Sequence, residues 1–212
     1  MRGIVLFLML LPTALPAAAQ TTVGIRAGVG SAWLAVPRFR SAPCPPDTHC
    51  PPAAPEAVRG LIFGADFDIP VSDSGGVFGL RIGAAYTEKG GAGFRYDANG
   101  ETRQRGGTLS TSYLQFSILL RARTSGSLSP IIFVGPWVAN LLSCEKSDLA
   151  AICKGGDAGI ALGAGVQIAL PGGSDASVGM EGIYYRGLRS HSRYDETTRL
   201  AAIQMRFVFP LG

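Results

Sequence analysis

Read at every second position, long stretches of this chain separate into one apolar and one polar series. The closing stretch "LAAIQMRFVFPLG" (200–212) sets Ala201, Ile203, Met205, Phe207 and Phe209 against Ala202, Gln204, Arg206 and Val208. A period of two marks a strand, whose successive side chains point to opposite faces. Seven earlier stretches have strand character: 22–35, 58–69, 77–88, 110–123, 130–143, 157–170 and 176–188. Short turns rich in Pro, Gly, Ser and Asp follow the second, fourth and sixth, and long loops follow the others. Antiparallel hairpins then gather the short turns at one end and the long loops at the other, as in outer-membrane barrels. Stretches of 12–14 residues exceed the roughly 9–11 needed to cross a bilayer at a tilt. The pattern predicts an all-β fold: an eight-stranded antiparallel up-and-down transmembrane β-barrel.

Comparing the two faces decides which one meets lipid. One series includes Ile25, Val29, Phe63, Phe67, Ile82, Phe116, Ile118, Leu162, Met180, Ile203 and Phe207, and it carries no charge. The other is dominated by Gly, with Arg26, Asp66, Asp68, Arg81, Gln115, Arg121, Gln167, Glu181, Gln204 and Arg206 spaced along it. An Arg turned to lipid near the midplane costs about 2–4 kcal/mol. The uncharged series is therefore expected outside, and the ten polar residues are expected to form a network filling a narrow lumen. Trp33, Tyr86, Trp137 and Tyr184 fall toward the long-loop ends, as an interfacial girdle would. The fifth stretch fits neither phase, because Ile132, Val134 and Val138 are as apolar as Ile131, Phe133 and Trp137.

Composition narrows the class further. Charged residues make up 16% of 212, while Gly numbers 29, and beyond the N-terminus no apolar run reaches the roughly 18 residues of a spanning helix. Arg2, "IVLFLMLLPTALP" and "AAA" before Gln20 give the positive start, apolar centre and small-residue cleavage site of an export signal. Residues 1–19 are read as a cleaved signal peptide and 20–212 as the barrel domain, in the bacterial outer membrane. Cys44 and Cys50, and Cys144 and Cys153, are close enough in sequence for one local disulfide per pair, as export permits. A metal site using His49 beside Cys50 is the weaker alternative. The formal charge of +4 is modest and no nucleic-acid partner is expected; of 19 basic residues, 16 are Arg.

The order of "SYLQFSILLRAR", "PIIFVGPWVANLLSCE", "DAGIALGAGVQIAL" and "GMEGIYYRGL" resembles the PorT-like family of small outer-membrane β-barrel proteins. Tyr113–Arg121, Gly135–Pro136, Asp157–Gly165 and Glu181–Leu188 occupy the places of that family's successive strand motifs. Gln115, Ser117 and Ile183 stand where the family usually has Glu, Pro and Arg, which implies a thinner charge network. The resemblance implies a non-enzymatic barrel and, at its most specific, a component of an export apparatus. It also implies reading of the last strand, through Phe207 and Phe209, by the barrel assembly machinery.

Candidate chemistry concentrates in the long loops. Ser190, His191, Ser192 and Glu196 supply residue types for a lipid A deacylase or acyltransferase, the alternative function, but no strand spacing aims them at one bond. "AGVG" (27–30) and "GAG" (163–165) are followed by no helix, so a phosphate loop is excluded. Arg189, Arg193 and Arg199 form a candidate phosphate-binding rim for lipopolysaccharide, since guanidinium matches phosphate in bidentate fashion. The expected function is structural or surface-binding, through four extracellular loops, with outer-membrane lipid, lipopolysaccharide and a protein partner at the loops. No cofactor is expected.

Overall fold

The period-two alternation becomes eight strands in the computed structural model, which describes residues 21–35, 57–71, 77–96, 103–146, 155–171, 176–190 and 197–211. They are β1 (Thr22–Ala35), β2 (Val58–Pro70), β3 (Phe78–Tyr96), β4 (Arg103–Arg123), β5 (Leu128–Lys146), β6 (Gly156–Ala169), β7 (Ser177–Ser190) and β8 (Thr197–Pro210). Each pairs antiparallel with the next, and β1 pairs with β8 from Thr22↔Pro210 to Ala35↔Thr197, so the sheet closes. Closure leaves no sheet edge to expose unpaired N–H and C=O groups to lipid. Between β4 and β5, Gly126 at φ 132° makes the turn, and Ser129 Oγ donates to its carbonyl at 2.9 Å. The expected signal peptide, residues 1–19, lies outside the described residues.

Polarity is inverted relative to a water-soluble domain. Val29 and Ile203 are each 63% exposed, whereas Arg26 and Arg206 are 1% exposed and Arg81 is 0%. In β5, Ile132, Val134 and Val138 point out, and Ile131, Phe133, Trp137 and Ala139 point in. Sequence could not separate these faces because the lumen itself takes apolar side chains here. Phe133 lies against the Arg81 guanidinium at 4.8 Å, so an aromatic ring serves the interior as well as it would serve lipid. Trp137, expected in the girdle, is likewise buried inside the barrel.

The strand bounds also differ from the sequence expectation. β3 and β4 run on through the Gly-rich segment as a paired ribbon, to Tyr96↔Arg103, with a bulge at Gly93/Phe94. A hairpin already in register extends at little extra cost, which outweighs the turn preference of its glycines. β5 likewise continues to Lys146, and β8 begins at Thr197 rather than 200. Pro136 in β5 points outward, and the β4–β5 ladder skips Gly135–Pro136 while the β6 side stays paired, consistent with the missing N–H of proline.

Candidate functional site in the lumen and on the long-loop wall

All ten polar residues placed on the inner face by alternation are buried: Arg26, Asp66, Asp68, Arg81, Gln115, Arg121, Gln167, Glu181, Gln204 and Arg206. Seven of them are charged and interlock as four guanidiniums and three carboxylates. Asp68 receives Arg81 Nε at 3.1 Å, Arg206 Nη2 at 2.8 Å and Arg121 Nε at 3.5 Å. Asp66 binds Arg206, whose Nε donates at 3.0 Å, and faces Arg26 Nε at 3.8 Å. It thereby separates two arginines that sit directly opposite in the β1–β8 register, where like charges repel. Glu181 accepts from Arg81 Nη1 and from Gln204 Nε2, each at 2.9 Å. Arg81 thus spans the lumen from the β2–β3 side to β7. Gln167 donates to Ser177 Oγ near the short-turn end.

Glycine makes this packing possible. A Cβ on Gly24 would stand 2.5 Å from Arg206 Nε, so only a hydrogen there leaves space for the guanidinium. Taking an ion out of water costs several kcal/mol even in a relaxed protein, and only close opposite charges with further hydrogen bonds offset it. Sharing each carboxylate among neighbours offsets part of that cost; Arg26 Nε at 3.8 Å from Asp66 and Arg121 Nε at 3.5 Å from Asp68 contribute charge but no hydrogen bond.

A second buried cluster lies nearer the long-loop end. Lys89 Nζ is 3.4 Å from Asp157 Oδ2 and 3.6 Å from the centroid of a Trp137 ring. Thr198 Oγ1 donates to the same Asp157 oxygen at 2.6 Å. Lys89, placed in a loop from sequence, is therefore an inner-face residue; Asp157 was read only as the start of a family motif, and Thr198 was not singled out. Their parity was the available signal: Lys89 is in phase with Arg81, and Thr198 with Arg206.

The predicted rim is assembled differently from its expectation. Of Arg189, Arg193 and Arg199, only Arg199 has a described side chain; it lies on the outer wall of β8, opposite Arg186 of β7 and Trp33 of β1. Arg59 and Arg186, not singled out from sequence, also point outward at this end, in phase with Leu61 and Met180. The Trp33 and Tyr184 rings meet at 6.3 Å across β8. Cys144 is not a free thiol, while Cys44, Cys50 and Cys153 lie outside the described residues, as do His191, Ser192 and Glu196. Ser190 ends β7. No group of metal-ligating side chains occurs among the described residues.

Comparison with known proteins places this geometry among its relatives. The family described as outer membrane protein beta-barrel domain matches residues 3–207. No curated protein matches the sequence. Among solved structures, the outer membrane protein OprG from Pseudomonas aeruginosa is similar at 12% identity and a TM-score of 0.52, over 90% of this chain and 97% of that one. Neisserial surface protein A aligns at 10% identity and a TM-score of 0.46, over 87% and 95%. Ail, the attachment invasion locus protein of Yersinia pestis, aligns at 12% and 0.41, over 90% and 99%. At these identities the likeness is one of fold.

Proposed function

We propose, from the premise that this chain belongs to the outer membrane protein beta-barrel domain family, that it is a non-enzymatic barrel of the bacterial outer membrane acting structurally and by surface binding at its long-loop end. The observation that carries this reading is the occupied lumen. Arg26, Arg81, Arg121 and Arg206 are ion-paired with Asp66, Asp68 and Glu181 at its centre, so the polar interior is filled by its own charges. What is left to meet partners is the long-loop end and the wall beneath it.

The finer forms of this reading rest on sequence. The order of PorT-like motifs supports a protein partner at the loops within an export apparatus, and Phe207 and Phe209, exposed on β8, suit recognition by the assembly machinery. Two measurements test the main proposal. The lipid A mass profile of the outer membrane is expected to be the same with and without the gene; a change in acylation overturns the non-enzymatic reading in favour of the deacylase or acyltransferase. The chain is expected in the outer-membrane fraction with heat-modifiable gel mobility; its absence from that fraction overturns the barrel assignment itself. Crosslinks from the long-loop end to secretion components would favour the export role.

A further inference from the structure

On the outer wall at the long-loop end, three arginines stand without a carboxylate partner among the described residues: Arg59, Arg186 and Arg199. Arg186 and Arg199 are direct cross-strand partners between β7 and β8, an arrangement in which like charges destabilise a sheet. Inside the barrel the equivalent clash of Arg26 with Arg206 is resolved by Asp66; outside, no carboxylate among the described residues plays that part. Glu88, an outward acid of β3, accepts from Leu61 N and Tyr86 Oη, each at 3.0 Å. Each of its oxygens already accepts one of these bonds.

Beside these arginines the wall is dented. Ala201, Ser31 and Arg59 are register partners across β8, β1 and β2, and the next row toward the membrane centre is Ile203, Val29 and Leu61. Small side chains in the upper row and large apolar ones in the lower make a groove of about 610 Å³, with Arg59 at its upper edge and Glu88 on its β3 side. Tyr184 stands beside Ala201 in the upper row and Trp33 one outward position beyond it, and this aromatic pair marks the level of the membrane interface. Arg186 and Arg59 lie three strand spacings apart around the wall, roughly 14 Å laterally, with Arg59 two residues nearer the membrane centre. Cationic heads at headgroup depth over an apolar groove complement one kind of ligand: an anion carried on hydrocarbon.

The geometry points to a seat for a phosphorylated outer-leaflet lipid on the wall of β7, β8, β1 and β2. Arg59, Arg186 and Arg199 hold its phosphates, and Val29, Leu61 and Ile203 hold its acyl chains. The phosphate supplies the negative charge that the Arg186–Arg199 pair lacks, through paired N–H···O bonds. This inference rests on the outer-membrane reading above and deepens it by naming the lipid chemistry and the residues.

The full chain folded in phosphatidylcholine nanodiscs tests it, with diphosphorylated lipid A as probe. Wild type is expected to bind this probe at least tenfold more tightly than dephosphorylated lipid A. The Arg186→Gln/Arg199→Gln variant is expected to lose that preference, and Arg123→Gln, near the short-turn end, to keep it. Arg59→Gln, on a separate strand, is expected to weaken binding at least threefold and stands in should the double variant not fold. Equal binding by wild type and these variants overturns the seat. Displacement by inorganic phosphate at the same concentration as the lipid overturns the lipid as occupant. Efficient Ser31→Cys crosslinking between two copies, insensitive to lipid A, would assign the wall to a second barrel instead. Heat-modifiable mobility of the same samples separates failure of the seat from failure of the barrel reading.

Discussion

Asp68 illustrates how one residue holds this interior: three guanidiniums, those of Arg81, Arg121 and Arg206, converge on its carboxylate. Removing one partner from a buried ionic network leaves uncompensated charge and costs about 3–5 kcal/mol. Asp68→Asn is therefore expected to lower the unfolding free energy by about that amount in urea titrations from lipid vesicles. Gln167→Ala, which loses a neutral hydrogen bond to Ser177, is expected to cost about 1 kcal/mol. Equal effects would count against a charge-held lumen. At this scale alternation identified ten inner-face residues but not Lys89, Asp157 or Thr198. Lys89 follows a Thr-Glu pair and precedes Gly-Gly, a local context that reads as turn. Its burial depends on Trp137 and Asp157, which come from strands far along the chain.

For an element, β8 carries the inverted polarity most plainly, with Gln204 and Arg206 buried between Ile203, Met205 and Phe207. Depth along the strand should then set the penalty for a misplaced charge. Ile203→Arg, near mid-strand, is expected to cost about 2–4 kcal/mol in vesicle unfolding, and Phe209→Arg, near the short-turn end, no more than about 1 kcal/mol. Seven strands showed their faces in sequence because lipid excludes charge from one side. β5 did not, since Phe133 beneath Arg81 and Trp137 beneath Lys89 make its inner face as apolar as its outer one. The outward Arg59 and Arg186 share the phase of lipid-facing neighbours, so they were legible by parity. They become a cluster only once β7, β8, β1 and β2 are known to be adjacent around a closed wall.

Taken as a whole molecule, the barrel is closed twice: laterally by the β1–β8 seam and axially by its charged core. Arg81, fully buried and bound to both Asp68 and Glu181, is the strut of the axial closure. The wild-type chain is expected to give no conductance steps in planar bilayers. Arg81→Ala, which removes that strut and balances the remaining three arginines against three carboxylates, is expected to give small ones. Open steps from the wild type would sink the filled-lumen picture. The fold class and the sense of the long and short ends were legible because both follow from turn lengths and period two. The ribbon of β3 and β4 was not, because its glycines resemble a loop until pairing partners are known.

That ribbon changes what the outside world encounters. Past Lys89 on β3 and Leu109 on β4, the two strands pair with each other alone among the described residues. Seven or so residues of strand at about 3.4 Å each carry it on the order of 25 Å past its neighbours. Among the described residues, a body approaching from the long-loop side would meet this two-stranded mast before the barrel's rim.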